Sequence, residues 1–171
     1  KIKVRNFGWE GDTVFEQWRD GGQTEKLDPK RAAAEKRIQA ETGTDSWRQQ
    51  RDWRQQLKEV GATVVIAQFG QMESLNGVEK LPQFIEAYEK LIKEFADEGR
   101  RVVLVAPVPF ERSAALGEYS DAIRALAVKK GLHFVGPVGQ VGRVGHELTE
   151  DGQREIAKHI VQVLGLNQTS N

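Results

Sequence analysis

The chain has 171 residues, 39% of them hydrophobic and 29% charged, which suffices for one globular domain with a buried core. Its 25 basic and 25 acidic side chains cancel, so nothing in the charge indicates nucleic acid or an anionic membrane as the main partner. Without cysteine the chain has no disulfide, thiol nucleophile or thiolate metal site, and no apolar run approaches the roughly 20 residues that span a bilayer.

Four stretches of the chain predict β-strands, at residues 2–5, 63–69, 101–107 and 132–135. The two middle stretches are apolar almost without interruption, whereas a half-exposed strand would alternate apolar and polar residues. An uninterrupted apolar strand is typical of a parallel sheet that is covered on both faces.

Amphipathic helices are predicted between and after these strands. Residues 81–95 carry apolar side chains at helical spacing, and Pro82 suits the first turn of that helix. Further helices are predicted over residues 117–130 and from a Thr149 N-cap to Gly165. Strands that alternate with helices predict right-handed βαβ units, and therefore a three-layer α/β/α sandwich with a parallel sheet.

Residues 20–58 are much more polar than the rest of the chain. Helices are predicted over residues 29–40 and 46–59, and apolar residues of the second, among them Trp53, are spaced to dock against the core. We interpret this segment as a solvated helical insertion into a single domain that covers residues 1–171. A cap that binds a substrate or a partner is the alternative.

Polar and glycine-rich segments follow the predicted strands at residues 6–13, 69–74 and 107–112, and another precedes the last helix at residues 145–149. Because ligands of open parallel sheets bind beyond the carboxyl ends of the strands, we expect these segments to converge on one edge. Their order along the chain is a more specific signal than any one of them.

The order and composition of these segments resemble the SGNH, or GDSL-type, hydrolase family, in particular SGNH domains of planctomycete and verrucomicrobial type. The sequence Asn-Phe-Gly-Trp-Glu-Gly-Asp-Thr at residues 6–13 looks like the family's second block, an Asn followed by a Gly-Asp-Thr turn. Phe-Gly-Gln-Met-Glu-Ser at residues 69–74 lies where the third block, Gly-x-Asn-Asp, is expected. His-Glu-Leu-Thr-Glu-Asp-Gly at residues 146–152 is similar to the last block.

The resemblance implies a flavodoxin-like fold and ester hydrolysis by a Ser nucleophile that a His activates, with an oxyanion hole of preorganised donors. It implies a small ester or an acetylated glycan as substrate, no cofactor, and export from the cytoplasm. By position, Gly11 would donate its backbone N–H to the oxyanion and Trp9 would line the pocket, although a turn glycine and a loop anchor are equally good interpretations. For Asn6, a role in holding the loops together is favoured over direct catalysis.

The third block departs from the family pattern. Met72 stands where the oxyanion Asn is expected, and a thioether donates no hydrogen bond. Gln71 or Gln68 could replace that donor only if the loop shifts. Glu73, with Ser74, either takes part in function or orders the loop, and the structural role is favoured.

The last block leaves two candidates for the general base. Direct alignment places Glu147 at the position of the catalytic His, and inserting one residue restores His146. Neither alignment provides the Asp that would orient the base, because Arg143 or Val144 occupies its position. The three separated His of the chain lack the acidic neighbours at ligand spacing that a metal site needs, so no metal is predicted.

The family's first block, Gly-Asp-Ser on the first strand, is absent from these residues. In the family that strand is central and would lie between the strands at residues 2–5 and 63–69. The unpaired backbone groups that its absence leaves predict either another polypeptide segment in that position or a different strand order.

Three functional hypotheses follow from these patterns. The first is an SGNH-type esterase or carbohydrate deacetylase whose Ser block comes from outside this segment. The second is a catalytically degenerate module that binds a glycan or a protein or has a structural role. The third, a flavodoxin-like cofactor binder, is disfavoured because residues 6–13 contain a tryptophan and two acids where a phosphate loop is needed.

Overall fold

A computed structural model describes residues 3–6, 12–15, 17, 53–108, 113–136, 143–144 and 147–166. Their helices and strands, in chain order, are α1 (Trp53–Glu59), β1 (Val64–Gln68), α2 (Leu81–Phe95), β2 (Arg101–Val105), α3 (Leu116–Lys130), β3 (His133–Val135), β4 (Arg143–Val144), β5 (Glu147–Leu148) and α4 (Glu150–Val163). No helix within these ranges is both long and apolar enough to cross a membrane.

The strands β1, β2 and β3 form a parallel sheet with β2 in the middle. Val64 of β1 is level with Arg101 of β2, and Val103 of β2 is level with His133 of β3. Residues 102–105 of β2 are buried, as its continuous apolar sequence predicted. The same prediction is wrong for β1, in which only Ala67 is buried, because no described strand lies on its outer side. The mixed α/β class and the parallel pairing of these three strands are therefore confirmed.

The strand predicted over residues 2–5 is wrong for the part that the structure describes. Residues 3–6 have no regular secondary structure and are exposed, Val4 to 79%. A strand persists only when its backbone groups are paired, and among the described residues β1 pairs with β2 alone. On the other side of β1 no strand is found among the described residues, and residues 3–5 do not join the sheet.

One face of the sheet carries the larger hydrophobic core. The helices α2 and α3 pack there against Val102 and Leu104, and their aromatic side chains interlock. The ring centroids of Phe84 and Tyr119 lie 5.0 Å apart, and those of Phe84 and Tyr88 lie 5.5 Å apart. Most apolar positions of the predicted stripes are buried because they recur at helical spacing, whereas Leu81 and Ile85 of α2 are half-buried.

The polar insertion is described only at its end. The helix predicted over residues 29–40 lies outside the described residues, and α1 is the last part of the helix predicted over residues 46–59. Trp53 and Leu57 of α1 are buried in the same core as α2 and α3, and the Trp53 ring lies edge-on to Phe95 at 5.0 Å. These apolar side chains anchor α1 to the core, as their spacing predicted.

The opposite face of the sheet is covered by α4. Val103, Val105 and Val135 are buried there, whereas Ile156 and Ile160 of α4 are only half-buried. The predicted N-cap is present, since the Thr149 hydroxyl accepts a hydrogen bond from the Gly152 N–H at 3.3 Å. The helix is therefore where its sequence predicts, but its apolar stripe is less completely buried than expected.

Candidate functional site

The loops that follow β1 and β2 lie at the same edge of the sheet because parallel strands end on one side. Two glutamine side chains tie these loops together. The side-chain amide of Gln68 donates to the Ala106 carbonyl at 2.9 Å, and that of Gln71 donates to the Val108 carbonyl at 3.0 Å. Each of these amides, the candidates for an oxyanion donor, thus uses one of its two N–H groups to bond a backbone carbonyl.

Glu73 is the central residue of this edge. Its side chain is among the largest that are fully buried. One carboxylate oxygen accepts the N–H of Gly70 at 2.8 Å, and the other accepts the N–H of Val14, also at 2.8 Å and 59 residues earlier in the chain. The Glu73 carboxylate therefore closes its own turn and holds residues 12–15 against the loop that follows β1.

The Glu73 charge acts on two buried phenols. Burial, and then the negative charge of Glu73, raise the pKa of the Tyr88 hydroxyl far above its usual range. Burial, followed by the charges of Glu73 and Glu79, also raises the pKa of Tyr119. Both hydroxyls are donors to backbone carbonyls, Tyr88 to Ala67 and Tyr119 to Gly77. These phenols therefore stay protonated and act as hydrogen-bond donors within the fold.

Gly70 allows the loop to approach the core closely. Its φ of 104° is unfavourable for a residue with a side chain, and a Cβ atom there would lie 3.1 Å from Cδ1 of Ile123. A glycine at this position lets the backbone turn directly above α3. Its N–H then points at Glu73, which fixes the start of the turn.

Hydroxyl groups complete the loop by bonding to its carbonyl groups. The Ser74 hydroxyl donates to the Gln71 carbonyl at 2.7 Å, and the Ser113 hydroxyl donates to the Ser74 carbonyl at 3.1 Å. Two large apolar side chains on the same turns, Met72 and Leu75, are exposed. Met72 and Leu75 thus give the loop apolar surface, while the hydroxyl groups of Ser74 and Ser113 bond to its backbone.

The segment at residues 12–17 is ordered by its own contacts as well as by Glu73. The Asp12 carboxylate accepts the Thr13 N–H at 3.0 Å and also accepts the Gln17 side-chain amide. The Gln17 carbonyl accepts the indole N–H of Trp53 at 3.1 Å. This segment therefore connects the edge of the sheet to α1.

The predicted site residues divide between described and undescribed parts of the chain. Gln71 and Glu73 lie together in the loop after β1, and Asn6 lies in the exposed segment 3–6. Glu147 is the first residue of β5, which pairs with β4 and precedes α4. Its side chain lies outside the described part of the structure. Trp9, Gly11 and His146 lie outside the described residues. The meeting of Gly11 with His146 therefore stays a prediction.

Sequence reasoning did not foresee the role of Glu73 as an acceptor for a distant N–H group. The spacing of Gly70 and Glu73 is the signal that could have indicated it, because a carboxylate three residues after a turn glycine can accept the N–H of that turn. Nothing in the spacing identifies Val14 as the second donor. Among the described residues, no group of three or more His, Asp or Glu side chains could hold a metal ion.

Comparison of the chain with protein-family models, with curated proteins and with solved structures found no significant match.

Proposed function

We propose that this chain is an ester hydrolase domain of the SGNH type, with a three-layer α/β/α architecture, that acts on small esters or acetylated glycans. The observation that carries the proposal is the pair of hydrogen bonds through which Glu73 joins residues 12–15 to the loop after β1. These are the two segments whose sequences resemble the family's second and third blocks. Their contact at the carboxyl edge of a parallel sheet is the arrangement that a shared site requires.

The proposed reaction hydrolyses an ester bond in two steps. A Ser hydroxyl transfers its proton to His146 and attacks the acyl carbon, and the alcohol leaves with that proton. Water then attacks the acyl-enzyme, and the carboxylic acid and the free Ser are released. The Gly11 N–H would stabilise the oxyanion, with Glu147 as the alternative base. The Ser belongs to a Gly-Asp-Ser block that is not among these 171 residues, so activity depends on a segment outside this sequence.

The second candidate is a module that binds a glycan or a protein without catalysis. The hydrogen-bond partners of the polar groups in the described loop favour this second candidate. Gln71, Glu73 and Ser74 all direct their side chains to backbone groups of the protein, and Met72 presents a thioether where the family has an amide. In this alternative the edge would keep the family's shape while its polar side chains stabilise the loops.

Hydrolysis of para-nitrophenyl acetate tests the first candidate. We expect the protein to release nitrophenol above the buffer rate when the segment with the Gly-Asp-Ser block is supplied together with this chain, and His146→Ala to reduce this rate about 100-fold, as is typical on loss of a general base. The matched control is His159→Ala, since His159 lies exposed on α4. Equal rates for wild type and His146→Ala would remove His146 from the mechanism. A rate equal to that of buffer in the presence of the Gly-Asp-Ser segment would favour the binding module.

A further inference from the structure

The loop that follows β1 exposes apolar side chains and buries polar ones. In residues 72–75 the polar Glu73 and Ser74 are buried, whereas the apolar Met72 and Leu75 are 37% and 46% exposed, which reverses the usual distribution. The Leu75 N–H donates to the Met72 carbonyl at 3.2 Å, as in a 3₁₀ turn. Because side chains three residues apart in such a turn lie on the same side of it, Met72 and Leu75 face outward together.

The segment at residues 12–15 adds an aromatic ring to this surface. Glu73 holds that segment to the loop through the Val14 N–H, at 2.8 Å. Val14 is fully buried, and the next residue, Phe15, is 45% exposed. Since consecutive Cα atoms are only about 3.8 Å apart, Phe15 lies close to the loop. We call Phe15, Met72 and Leu75 the apolar patch, which two distant parts of the chain form at one edge of the sheet.

The backbone that carries the loop side of the patch is fixed by hydrogen bonds from side chains. The Ser74 hydroxyl donates to the Gln71 carbonyl, and the Ser113 hydroxyl donates to the Ser74 carbonyl. The Tyr119 hydroxyl donates to the Gly77 carbonyl at 3.1 Å. A ligand therefore meets a loop that is already ordered, which lowers the entropic cost of binding.

The patch discriminates between the two substrate classes of the proposed function. A sugar needs hydrogen-bond partners for its hydroxyl groups, and the two side chains of residues 72–75 that could provide them are buried. An acyl chain needs only apolar contact, and each CH₂ group that it buries raises the affinity about fourfold. Residues 69–78 carry a single charged side chain, the buried Glu73, so an uncharged ligand fits them best.

We propose that the apolar patch binds the acyl chain of a medium-chain ester, and that such an ester, not an acetylated glycan, is the substrate. This inference rests on the proposed function and names its substrate class. In that function Met72 replaces an amide donor beside the acyl carbon, and its flexible thioether side chain provides apolar contact at the start of the acyl chain. Leu75 and Phe15 extend this contact away from the reacting carbonyl.

Binding of hexanamide tests the proposal, because this uncharged amide carries a medium-length acyl chain and is not an ester. Met72 is the only methionine of the chain, so labelling the methionine methyl group with an NMR-active isotope gives one resonance, and it lies at the patch. With the unlabelled Gly-Asp-Ser segment supplied, we expect hexanamide to shift this resonance with a dissociation constant on the order of 1 mM. Acetamide and N-acetylglucosamine should leave it unchanged at the same concentrations.

Variants of the patch assign the shift to the proposed side chains. Leu75→Asn and Phe15→Asn each remove apolar surface and should weaken hexanamide binding about 5-fold. The matched control is Val128→Asn, which makes a similar change at an exposed valine of α3 and should leave binding unchanged. The proposal is overturned by a resonance that does not respond to hexanamide once the Gly-Asp-Ser segment is present. An equal response to N-acetylglucosamine, or equal weakening by all three variants, also overturns it.

Hydrolysis of two para-nitrophenyl esters separates this inference from the proposed function. Relative to the rates in buffer, we expect kcat/KM for the hexanoate to exceed that for the acetate about 10-fold. Binding of hexanamide without hydrolysis of either ester would support the acyl-binding patch and refute the hydrolase activity. Hydrolysis with a kcat/KM for the hexanoate no higher than that for the acetate would refute the patch and leave the hydrolase activity standing.

Discussion

At the scale of single residues, one buried carboxylate organises the edge of the sheet. Glu73 has two oxygens, and each accepts a backbone N–H that would otherwise be buried without a partner. The two donors belong to different parts of the chain, so the same side chain sets a local turn and a long-range contact. A buried acid is tolerated here because several polar groups surround it.

Substitution of Glu73 should therefore destabilise the protein through its two backbone donors. In Glu73→Gln one of the two acceptor oxygens becomes an NH₂ group, which faces a backbone N–H donor. We expect this variant to lose about 2 kcal/mol in the free energy of unfolding and Glu73→Ala to lose about 4 kcal/mol, as measured by urea denaturation. Glu118→Gln, an exposed substitution on α3, should change the free energy of unfolding by no more than about 0.5 kcal/mol. Equal, small effects for all three would show that Glu73 has no such role.

At the scale of elements, the helices on the two faces of the sheet contribute unequally to the core. α2 and α3 bury most of their apolar stripes, with aromatic rings from both helices in contact. α4 covers three valines but leaves its own isoleucines half-exposed. Since hydrophobic stabilisation scales with the apolar area removed from water, the face under α2 and α3 is the more strongly stabilised one.

A pair of identical truncations measures this inequality between the helices. Ile123 of α3 is fully buried, so Ile123→Ala should cost about 4 kcal/mol through lost burial and the cavity it leaves. Ile160 of α4 is half-buried, so Ile160→Ala should cost about 1.5 kcal/mol. Urea denaturation of the two variants gives both values. A loss at Ile160 that equals the loss at Ile123 would show that α4 is packed as tightly as α3.

At the scale of the whole molecule, the two tyrosines make the free energy of unfolding depend on pH in the alkaline range. The chain contains only Tyr88 and Tyr119, and the pKa of each is raised in the folded state. In the unfolded chain a tyrosine ionises near pH 10. The folded state therefore binds more protons than the unfolded state above that pH, and stability is lost as the pH rises.

The Tyr88→Phe variant separates the contribution of Tyr88 to this pH dependence from those of other groups that titrate at alkaline pH. Between about pH 9 and about pH 11, wild type should lose up to about 1.4 kcal/mol more unfolding free energy than the variant, because the substituted phenyl ring has no proton to release. At about pH 9 the free energy of unfolding of the variant should already be lower than that of wild type by about 1 kcal/mol, since the variant lacks the hydrogen bond to the Ala67 carbonyl. Urea denaturation at the two pH values checks both statements. An identical loss with pH in both proteins would contradict the linkage.

The sequence by itself determined the features that depend on the pattern of residues within one segment. The positions of β1 and β2, the burial of β2, the helical stripes of α2 and α3 and the N-cap of Thr149 were predicted because they follow from residue spacing within one segment. The position of Gln71 and Glu73 at the carboxyl edge follows from the same strand boundaries. These predictions need no knowledge of distant parts of the chain.

Only the tertiary structure decided which distant groups meet. Residues 3–5 carry a strand-like sequence but pair with no strand among the described residues, and a strand persists only when its backbone groups are paired. The bond from Val14 to Glu73 joins groups 59 residues apart, so no local spacing could indicate it. The same holds for the exposure of Ile66, because coverage of a sheet face depends on where a helix packs and the sequence of the strand does not specify that.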